Sequence, residues 1–269
     1  MPVDPTNATL VERINRHEDL ALFRVAYKDK EVPDFKPGQF ATLGLPDPTP
    51  PDPDKPVRPG RGPKLIRRAY SIASPNTQKD ALEFYIVRVE DGKLTPTLWD
   101  LKVGDDLFMN PKIGGHFTLD GVPDGRTLVM VGTGTGLAPF RSMYLTYKDQ
   151  NRWSKFVLLD GCRVARDLGY REEMEAFAAA DPDFVYLPTV TREPDDSGWT
   201  GARGRVNALL EPDAFEKHVG VPLNAETCSV FLCGNPQMID QMEASLGERG
   251  FVTKDRKNPD GTLVFERYW

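Results

Sequence analysis

One polar stretch near the first quarter of the chain has the residue types of a ligand site. Residues 67–74 read Arg-Arg-Ala-Tyr-Ser-Ile-Ala-Ser. In a strand, alternate side chains point to opposite faces, so Arg68 and Tyr70 would share one face and Ala69 and Ser71 the other. A guanidinium can bind a phosphate, and a tyrosine ring can lie against a planar ligand. Taken alone, the stretch is equally consistent with an edge strand that carries a solvated arginine.

A second candidate is the glycine-rich run Gly132-Thr-Gly-Thr-Gly136, between a hydrophobic strand pattern and a helix pattern. Glycines allow backbone N–H groups to approach a pyrophosphate, and the start of a helix favours negative charge. The spacing is not that of G-x-G-x-x-G, so a tight strand–helix connection is the alternative. The run 233–238, Cys-Gly-Asn-Pro-Gln-Met, repeats the arrangement. There, Cys233 could equally be a small buried hydrophobe.

Arginines and a terminal aromatic pair complete the candidates. Arg192 follows a strand pattern that ends near Thr189, and Arg203-Gly204-Arg205 comes shortly after it. Two arginines on neighbouring loops could hold a 2′-phosphate, the group that distinguishes NADP from NAD, although each alone is commonly a solvated surface residue. The chain ends in a β-like run, 264–269, which predicts either Tyr268 against a flat ligand or a plain core strand.

Composition limits the function classes. The 269 residues are 39% hydrophobic and 28% charged, as expected for a globular protein of more than one domain. No apolar run reaches membrane-spanning length and the start is polar, so we expect no membrane insertion and no signal peptide. The net charge of −6 argues against nucleic-acid binding. Cys162, Cys228 and Cys233 lack the spacing of metal sites, which predicts free thiols, no metal and a cytoplasmic location.

The first half of the chain shows short strand patterns with little helix, which predicts a closed antiparallel β-barrel over residues 1–122. Within it, Thr95 is expected to cap a short helix that runs through Leu101, with Pro96 in its first position and Lys93 beside a possible anion site. The proline-crowded stretch 46–64 predicts a long surface loop. The strand patterns are Leu10–Asn15, Leu20–Tyr27, Gln39–Leu45, 67–74, Leu82–Val89 and Leu107–Met109.

The pattern changes near Val122 to an alternation of strands and helices. This predicts a parallel sheet with helices on both faces over residues 123–269, and such sheets bind ligands at the carboxyl ends of their strands. Strands are expected at 126–131, 156–159, 184–187 and 230–233, and helices from Leu137, at 170–180, 206–210 and 236–247.

These stretches together resemble the plant-type ferredoxin/flavodoxin–NADP reductase family, of the bacterial kind. The resemblance spans nearly the whole chain in the family's order. It implies a barrel that binds FAD, followed by an α/β domain that binds NADP(H). It also implies an enzyme that exchanges a hydride with NADP(H) and single electrons with ferredoxin or flavodoxin. The stretches are 68–71, 84–87, 92–95, 132–139, 233–238 and 266–269.

The resemblance also implies residue roles. Four residues would surround the reacting atoms: Ser71 near the flavin atom that receives hydride, Cys233 beside the nicotinamide, Glu266 completing the polar set, and Tyr268 over a flavin face. The other FAD contacts would be Arg68, Ala69, Tyr70, Tyr85, Val87, Lys93, Leu94, Thr95, Thr133 and Trp269. The NADP contacts would be Gly134, Thr135, Gly136, Arg163, Arg192, Arg203, Arg205, Gly234 and Met238, with Arg203 and Arg205 competing for one role.

Two departures from the family pattern stand out. The segment 47–64 is longer than in compact bacterial members, and Asp160-Gly161-Cys162 replaces small residues before Arg163.

An acidic carrier could dock on a basic patch, although an ordinary solvated surface is an equal alternative. The patch would comprise Arg152, Lys155, Arg163, Arg166, Arg171, Lys254, Arg256 and Lys257.

Three other functions stay open at this point. One is an NADH-dependent flavin reductase that serves an oxygenase or haem protein, and another is a non-enzymatic FAD subunit of an electron-transfer complex. The third is a module that senses nucleotide without turnover. Nothing in the sequence demands a partner chain, so we expect a monomer.

Overall fold

The computed structural model describes residues 6–49 and 64–268, and the chain divides into two compact units between His116 and Phe117. The division falls slightly before the change of pattern near Val122, because the Phe117 ring packs 5.7 Å from that of Phe140 and 5.6 Å from that of Phe231. Most of the proline-crowded stretch, residues 50–63, and the terminal Trp269 lie outside the described residues.

The first unit contains the antiparallel β-barrel that the sequence predicts. Its strand order is β4-β3-β6-β1-β2-β5, every neighbouring pair is antiparallel, and a bridge between Ile72 and Phe84 joins the two ends of this order. Phe23, Leu43 and Phe84 are fully buried inside it. Within the described part of this unit, the strands are β1 (Ala8–His17), β2 (Leu20–Tyr27), β3 (Phe40–Pro46), β4 (Leu65–Ser71), β5 (Leu82–Val87) and β6 (Asp106–Met109).

A short helix, α1 (Thr95–Asp100), is fixed to the barrel through Arg13. The Arg13 guanidinium lies 5.2 Å from the centre of the Phe23 ring and 5.0 Å from that of Trp99, and it donates to the Trp99 carbonyl at 2.7 Å. Cation–π contacts of this kind, together with the hydrogen bond from the half-buried Arg13, hold the helix against the strands. The start of the helix therefore has a defined place beside β5.

The prediction that Thr95 caps α1 is wrong. Thr95 is the first helical residue, Leu94 takes the cap position, and no side chain caps the helix. The Thr95 hydroxyl instead accepts from the Val89 N–H at 3.0 Å and donates to the Val89 carbonyl at 3.1 Å. Because both polar groups of Val89 are satisfied in this way, Thr95 closes the turn that follows β5. Pro96 is the second helical residue, one position later than predicted, and still lies in the first turn.

The second unit contains the predicted parallel sheet, with the order β10-β9-β8-β7-β11-β12. The chain leaves β7 toward β8, β9 and β10, and then returns to place β11 on the other side of β7. This reversal makes the β7–β11 pair the topological switch point, where open α/β sheets bind ligands. The strands are β7 (Thr127–Thr133), β8 (Lys155–Cys162), β9 (Phe184–Val190), β10 (Ala202–Arg203), β11 (Cys228–Gly234) and β12 (Leu263–Arg267).

Helices cover both faces of this sheet. On one face, Tyr144 and Phe177 meet the sheet residues Phe156 and Phe184. On the other, Phe215 and residues of the last helix pack on alternate strand residues. A single 3₁₀ turn over 206–210 replaces the predicted short helix there. The described helices of this unit are α2 (Ala138–Tyr147), α3 (Arg171–Ala180), α4 (Pro212–Val219) and α5 (Pro236–Glu248).

The sequence patterns missed α4 and β10. Both are short: β10 spans two residues, and α4 spans eight, of which only Phe215 and Val219 are buried. Within the described residues, no helix combines the length and the apolar character needed to cross a membrane.

Candidate functional site

In the first unit, the residues expected to contact FAD lie along two adjacent strands. Since Ile72 bridges to Phe84 and the Ala73 N–H donates to the Glu83 carbonyl at 2.8 Å, the end of β4 lies next to β5. Arg68 is exposed, Tyr70 is half-buried against the barrel core, and Ser71 is buried. This edge of the barrel therefore combines an accessible cation, an anchored ring and a hydroxyl.

Tyr70 is held in its neutral form. Burial raises the pKa of its phenol well above the ordinary value, and the nearby Arg68 guanidinium opposes this shift only in part. The ring also packs against the hydrophobic core of the barrel. A neutral ring fixed in this way can offer a flat, apolar surface to a ligand.

The remaining first-unit candidates follow β4 and β5 in space. Tyr85 is buried and Val87 is half-buried, and as alternate residues of β5 they share one face. The turn that follows carries Lys93, which is exposed, and Leu94, which is buried. Gly92 is required in this turn because a Cβ atom there would lie only 2.8 Å from the Thr95 hydroxyl.

In the second unit, two loops interlock at the switch point. The chain turns at Gly134–Leu137 after β7 and at Asn235 after β11. Gly234 adopts φ +126°, and a Cβ atom there would collide with the Thr133 hydroxyl. A Cβ atom on Gly136 would collide with the Cys233 carbonyl. The glycine-rich run therefore serves close backbone packing as well as any ligand.

Asn235, a polar residue at this junction, was not among the sequence-based site residues, whereas its partner Thr133 was. The Asn235 side chain accepts from the N–H groups of Gln237 and Met238, at 2.8 and 3.2 Å, and so caps α5. The Thr133 hydroxyl accepts from the Asn235 N–H at 3.0 Å. The Asn-Pro pair at 235–236 is a recognisable helix-start signal that could have identified the cap. Contact between Thr133 and FAD stays a prediction.

Three of the four residues expected around the reacting atoms meet at the carboxyl edge of this sheet. In the parallel register Cys233 pairs with Glu266, and the Tyr268 N–H donates to the Gly234 carbonyl at 3.0 Å. The Tyr268 hydroxyl lies within hydrogen-bonding reach of the Cys233 sulfur. Arg267, which lies between Glu266 and Tyr268, is held in place because its guanidinium donates to the Asp240 carboxylate of α5 at 2.8 Å.

Cys233 is a neutral, completely buried thiol. Its exposed fraction is 0%, and burial followed by the charge of Glu266 raises its pKa well above the ordinary value, against a smaller opposing contribution from Tyr268. A thiol of this kind is a poor nucleophile. The arrangement favours a role for Cys233 in packing against a ligand ring.

The candidate phosphate-binding arginines cluster at the carboxyl ends of β8, β9 and β10. The Arg192 N–H donates to the Arg163 carbonyl at 2.7 Å, and Gly204 follows β10 with φ +121°. All four candidate arginines are exposed: Arg163, Arg192, Arg203 and Arg205.

The structure distinguishes Arg203 from Arg205. The Arg203 guanidinium donates to the Glu193 and Pro194 carbonyls, at 2.5 and 3.0 Å, and lies 3.7 Å from the Asp195 carboxylate. The guanidinium of Arg205 has no hydrogen bond or ion pair within the described part of the chain, and neither has that of Arg192. Arg203 is thus committed to the loop, whereas Arg192 and Arg205 are available to an anion.

The proposed basic docking patch is partly neutralised. Arg152 pairs with Asp124 at 2.8 Å, and Lys155 pairs with Asp183 at 3.2 Å. Arg171 pairs with the neighbouring Glu175 at 2.6 Å. Exposed pairs of this kind weaken a local positive field, so the patch is a less favourable surface for an acidic carrier than its arginine and lysine content suggests.

Replacing Gly136 with alanine should destabilise the second unit. The new methyl group would overlap the Cys233 carbonyl and lie 3.1 Å from the Gly234 Cα atom, and neither backbone can move without displacing a strand end. We expect a loss of about 2–3 kcal/mol in unfolding free energy, measured by thermal or denaturant unfolding. Gly247→Ala is the matched control, since nothing lies within 4 Å of that position in α5. An unchanged midpoint for Gly136→Ala would contradict the interlocked loops.

Comparisons with known proteins agree with this geometry. The family model for the oxidoreductase NAD-binding domain matches residues 130–244. The chain is 36% identical over 249 residues to the flavodoxin/ferredoxin–NADP reductase of Shigella flexneri, and this alignment covers 93% of each chain. It is 33% identical over 242 residues to the ferredoxin–NADP reductase of Pseudomonas aeruginosa, covering 87% of this chain and 86% of that one.

Solved structures show the same architecture. A ferredoxin NADP+ reductase from Neisseria gonorrhoeae, solved with bound FAD and NADP, aligns with a TM-score of 0.82 at 24% identity. The alignment covers 99% of this chain and 100% of that one. Both the barrel and the parallel sheet therefore have counterparts in a single known protein.

Proposed function

This chain belongs to the flavodoxin/ferredoxin–NADP reductase family, and we propose that its two units are the FAD-binding and NADP(H)-binding domains of a working reductase. The enzyme exchanges electrons between NADP(H) and a one-electron carrier. The assignment of sites rests on the meeting of Cys233, Glu266 and Tyr268 beside the glycine loop. Along the same edge of the sheet, the guanidinium groups of Arg192 and Arg205 have no partner among the described residues.

The first unit fits FAD. Arg68 offers an exposed guanidinium for the phosphates, and Tyr70 offers a neutral ring for the flavin. Ser71, the residue after Tyr70, adds a buried hydroxyl. In the turn around Gly92, neighbouring atoms lie too close to leave room for a side chain. The bound flavin accepts a hydride and gives up electrons singly, chemistry that no side chain of the chain can perform.

The second unit fits NADP(H). The glycine run 132–136 lets the backbone approach the pyrophosphate at the start of α2, and Arg192 and Arg205 hold the 2′-phosphate through charge-assisted hydrogen bonds. The nicotinamide then lies toward Cys233, whose uncharged thiol packs against the ring. Glu266 supplies a hydrogen-bonding carboxylate beside it. These contacts orient the ring and exclude water, so that hydride can move only to a correctly placed acceptor.

Tyr268 must move for this contact to form. Cys233 is fully buried while the Tyr268 side chain lies at its sulfur, and a ring of the ligand cannot reach the thiol in that state. We propose that Tyr268 covers the nicotinamide site between turnovers. Its displacement then forms part of each binding event.

The partner carrier is a ferredoxin or a flavodoxin, as the names of the relatives at 31–36% identity indicate. We further propose a monomer in the cytoplasm, in keeping with three buried thiols that are not joined in disulfides. The FAD and NADP(H) domains are proposed to span residues 1–122 and 123–269.

A spectrum of the purified protein followed by anaerobic mixing tests the function. A yellow protein that NADPH bleaches rapidly and NADH bleaches slowly is the expected result, because only NADPH carries the phosphate for Arg192 and Arg205. Equal rates would favour an NADH-dependent flavin reductase. A yellow protein that neither nucleotide bleaches would favour an electron-transfer subunit, and a colourless protein that binds NADPH would favour a sensor.

A further inference from the structure

A buried carboxyl group lies beneath the nucleotide-binding edge and has no part in the function above. Asp160, near the end of β8, is 1% exposed. Its carboxylate accepts from the Tyr186 hydroxyl at 2.9 Å, and the Cys162 sulfur lies 4.0 Å from its other oxygen. Tyr186 and Cys162 are both buried. The three side chains form one buried polar cluster, which we call the Asp160 cluster.

The Asp160 cluster touches both elements that would hold the nucleotide phosphates. A hydrogen bond from the backbone N–H of Gly134, in the glycine loop, lowers the pKa of the Cys162 thiol, although burial raises it overall. The Cys162 carbonyl accepts from the Thr191 N–H at 3.1 Å, and the next carbonyl, that of Arg163, accepts from the Arg192 N–H at 2.7 Å. The end of β8 therefore sets the positions of the pyrophosphate loop and of the Arg192 backbone together.

No cation offsets the Asp160 carboxylate among the described residues packed around it. Tyr186 faces it from β9, and Cys162 faces it from its own strand. Asp167 belongs to the turn beyond β8 and accepts from Cys162 through its carbonyl at 3.5 Å. On the helices of this face, Arg141 of α2 pairs with Glu173 of α3 at 2.6 Å. The glycine loop contributes backbone only.

The environment makes the charge of Asp160 sensitive near neutral pH. Burial raises its pKa to about 7, and the Tyr186 hydrogen bond opposes this rise. An ionised carboxylate under a phosphate-binding loop repels the ligand, whereas a protonated one does not. By linkage, a bound dianionic phosphate favours the protonated form, so binding draws a proton from solvent.

We propose that Asp160 is a positioning residue that couples proton uptake to the binding of NADP(H) phosphates, acting through Cys162 on the glycine loop and the Arg192 segment. This inference rests on the proposed function. It predicts that affinity for NADP+ falls as pH rises through neutrality, by about threefold to tenfold. It also gives a role to the Asp160-Gly161-Cys162 sequence, which the family resemblance left unexplained.

The test is calorimetric titration of the flavin-loaded protein with NADP+ from about pH 6 to about pH 8.5. Native protein is compared with Asp160→Asn, which keeps the size of the side chain and a partner for Tyr186. Because the 2′-phosphate itself titrates near pH 6, the ratio of native to variant affinity is the readout, in which that contribution cancels. Titrations in two buffers of different ionisation enthalpy also count the protons taken up.

The expected result is a ratio that falls with pH, with proton uptake in native protein exceeding that in Asp160→Asn. Tyr186→Phe supplies a second variant. It removes the hydrogen bond that favours ionised Asp160, so the midpoint of the pH profile should shift upward, which a purely structural role would not produce. A ratio that stays constant with pH overturns the inference while leaving the reductase function intact. Native protein that fails to bind NADP+ at any pH overturns the proposed function and this inference together.

Discussion

Replacing Arg192 and Arg205 together with alanine is expected to lower kcat/KM for NADPH by about 100-fold or more, while kcat/KM for NADH changes little. Each charge-assisted hydrogen bond to a phosphate contributes about 1.5–3 kcal/mol, and a factor of ten corresponds to about 1.4 kcal/mol. Both guanidinium groups lie exposed at the carboxyl edge of the sheet without a partner among the described residues. NADH lacks the 2′-phosphate and so loses no interaction.

Arg203→Ala is the matched control for the double variant. It removes one arginine, two residues from Arg205, and the guanidinium of Arg203 is already bound to the Glu193 and Pro194 carbonyls. We therefore expect some loss of thermal stability and an NADPH-to-NADH preference close to that of native protein. If Arg203→Ala alone abolished the preference, the assignment of Arg205 to the phosphate would be wrong. Steady-state kinetics with both nucleotides distinguishes the two outcomes.

Replacing Tyr268 with serine is expected to tighten NADP+ binding by about tenfold to 100-fold, since burying an aromatic side chain is worth about 1.5–3 kcal/mol. If Tyr268 covers the nicotinamide site as proposed, the nucleotide must displace this ring before it can reach Cys233, which is fully buried. The serine variant has no ring to displace. Tighter binding of product should also slow its release and lower kcat. Difference spectra on titration with NADP+ measure the dissociation constant directly.

Tyr268→Phe separates the ring from its hydroxyl. The ring remains and only the hydrogen bond to the Cys233 sulfur is lost, so the affinity for NADP+ should stay within a few-fold of native. Unchanged or weaker binding in Tyr268→Ser would show that the ring does not compete with the nicotinamide. Tight NADP+ binding in both variants would show that loss of the hydroxyl, and not of the ring, increases the affinity.

The sequence by itself determined the architecture of both units. Short stretches rich in β-forming residues, such as Leu20–Tyr27, predicted the barrel, because this preference depends on each residue and its near neighbours. The strand–glycine–helix order around 127–147 likewise predicted the parallel sheet and the edge at which ligands bind. Local patterns of this kind predict strands and helices correctly because each element depends mainly on its own residues and their immediate neighbours.

The roles of individual side chains depended on the tertiary structure. Thr95 bonds to Val89, where its sequence neighbours predicted a helix cap. In the sequence Arg203 competed with Arg205 for one role, and the structure separates them because the Glu193 and Pro194 carbonyls bind Arg203. In each case the deciding partner lies six to ten residues away along the chain, and only the folded loop brings it into contact.

Asp160 shows most clearly that the role of a side chain depends on the tertiary structure. In the sequence it is an acidic residue at the end of a hydrophobic strand, and nothing nearby indicates whether it is solvated or buried. Its burial and its contact with Tyr186 on β9 arise only when the strands align in the sheet. The chemistry of a side chain depends on its surroundings in space, and the sequence specifies those surroundings only through the folded chain.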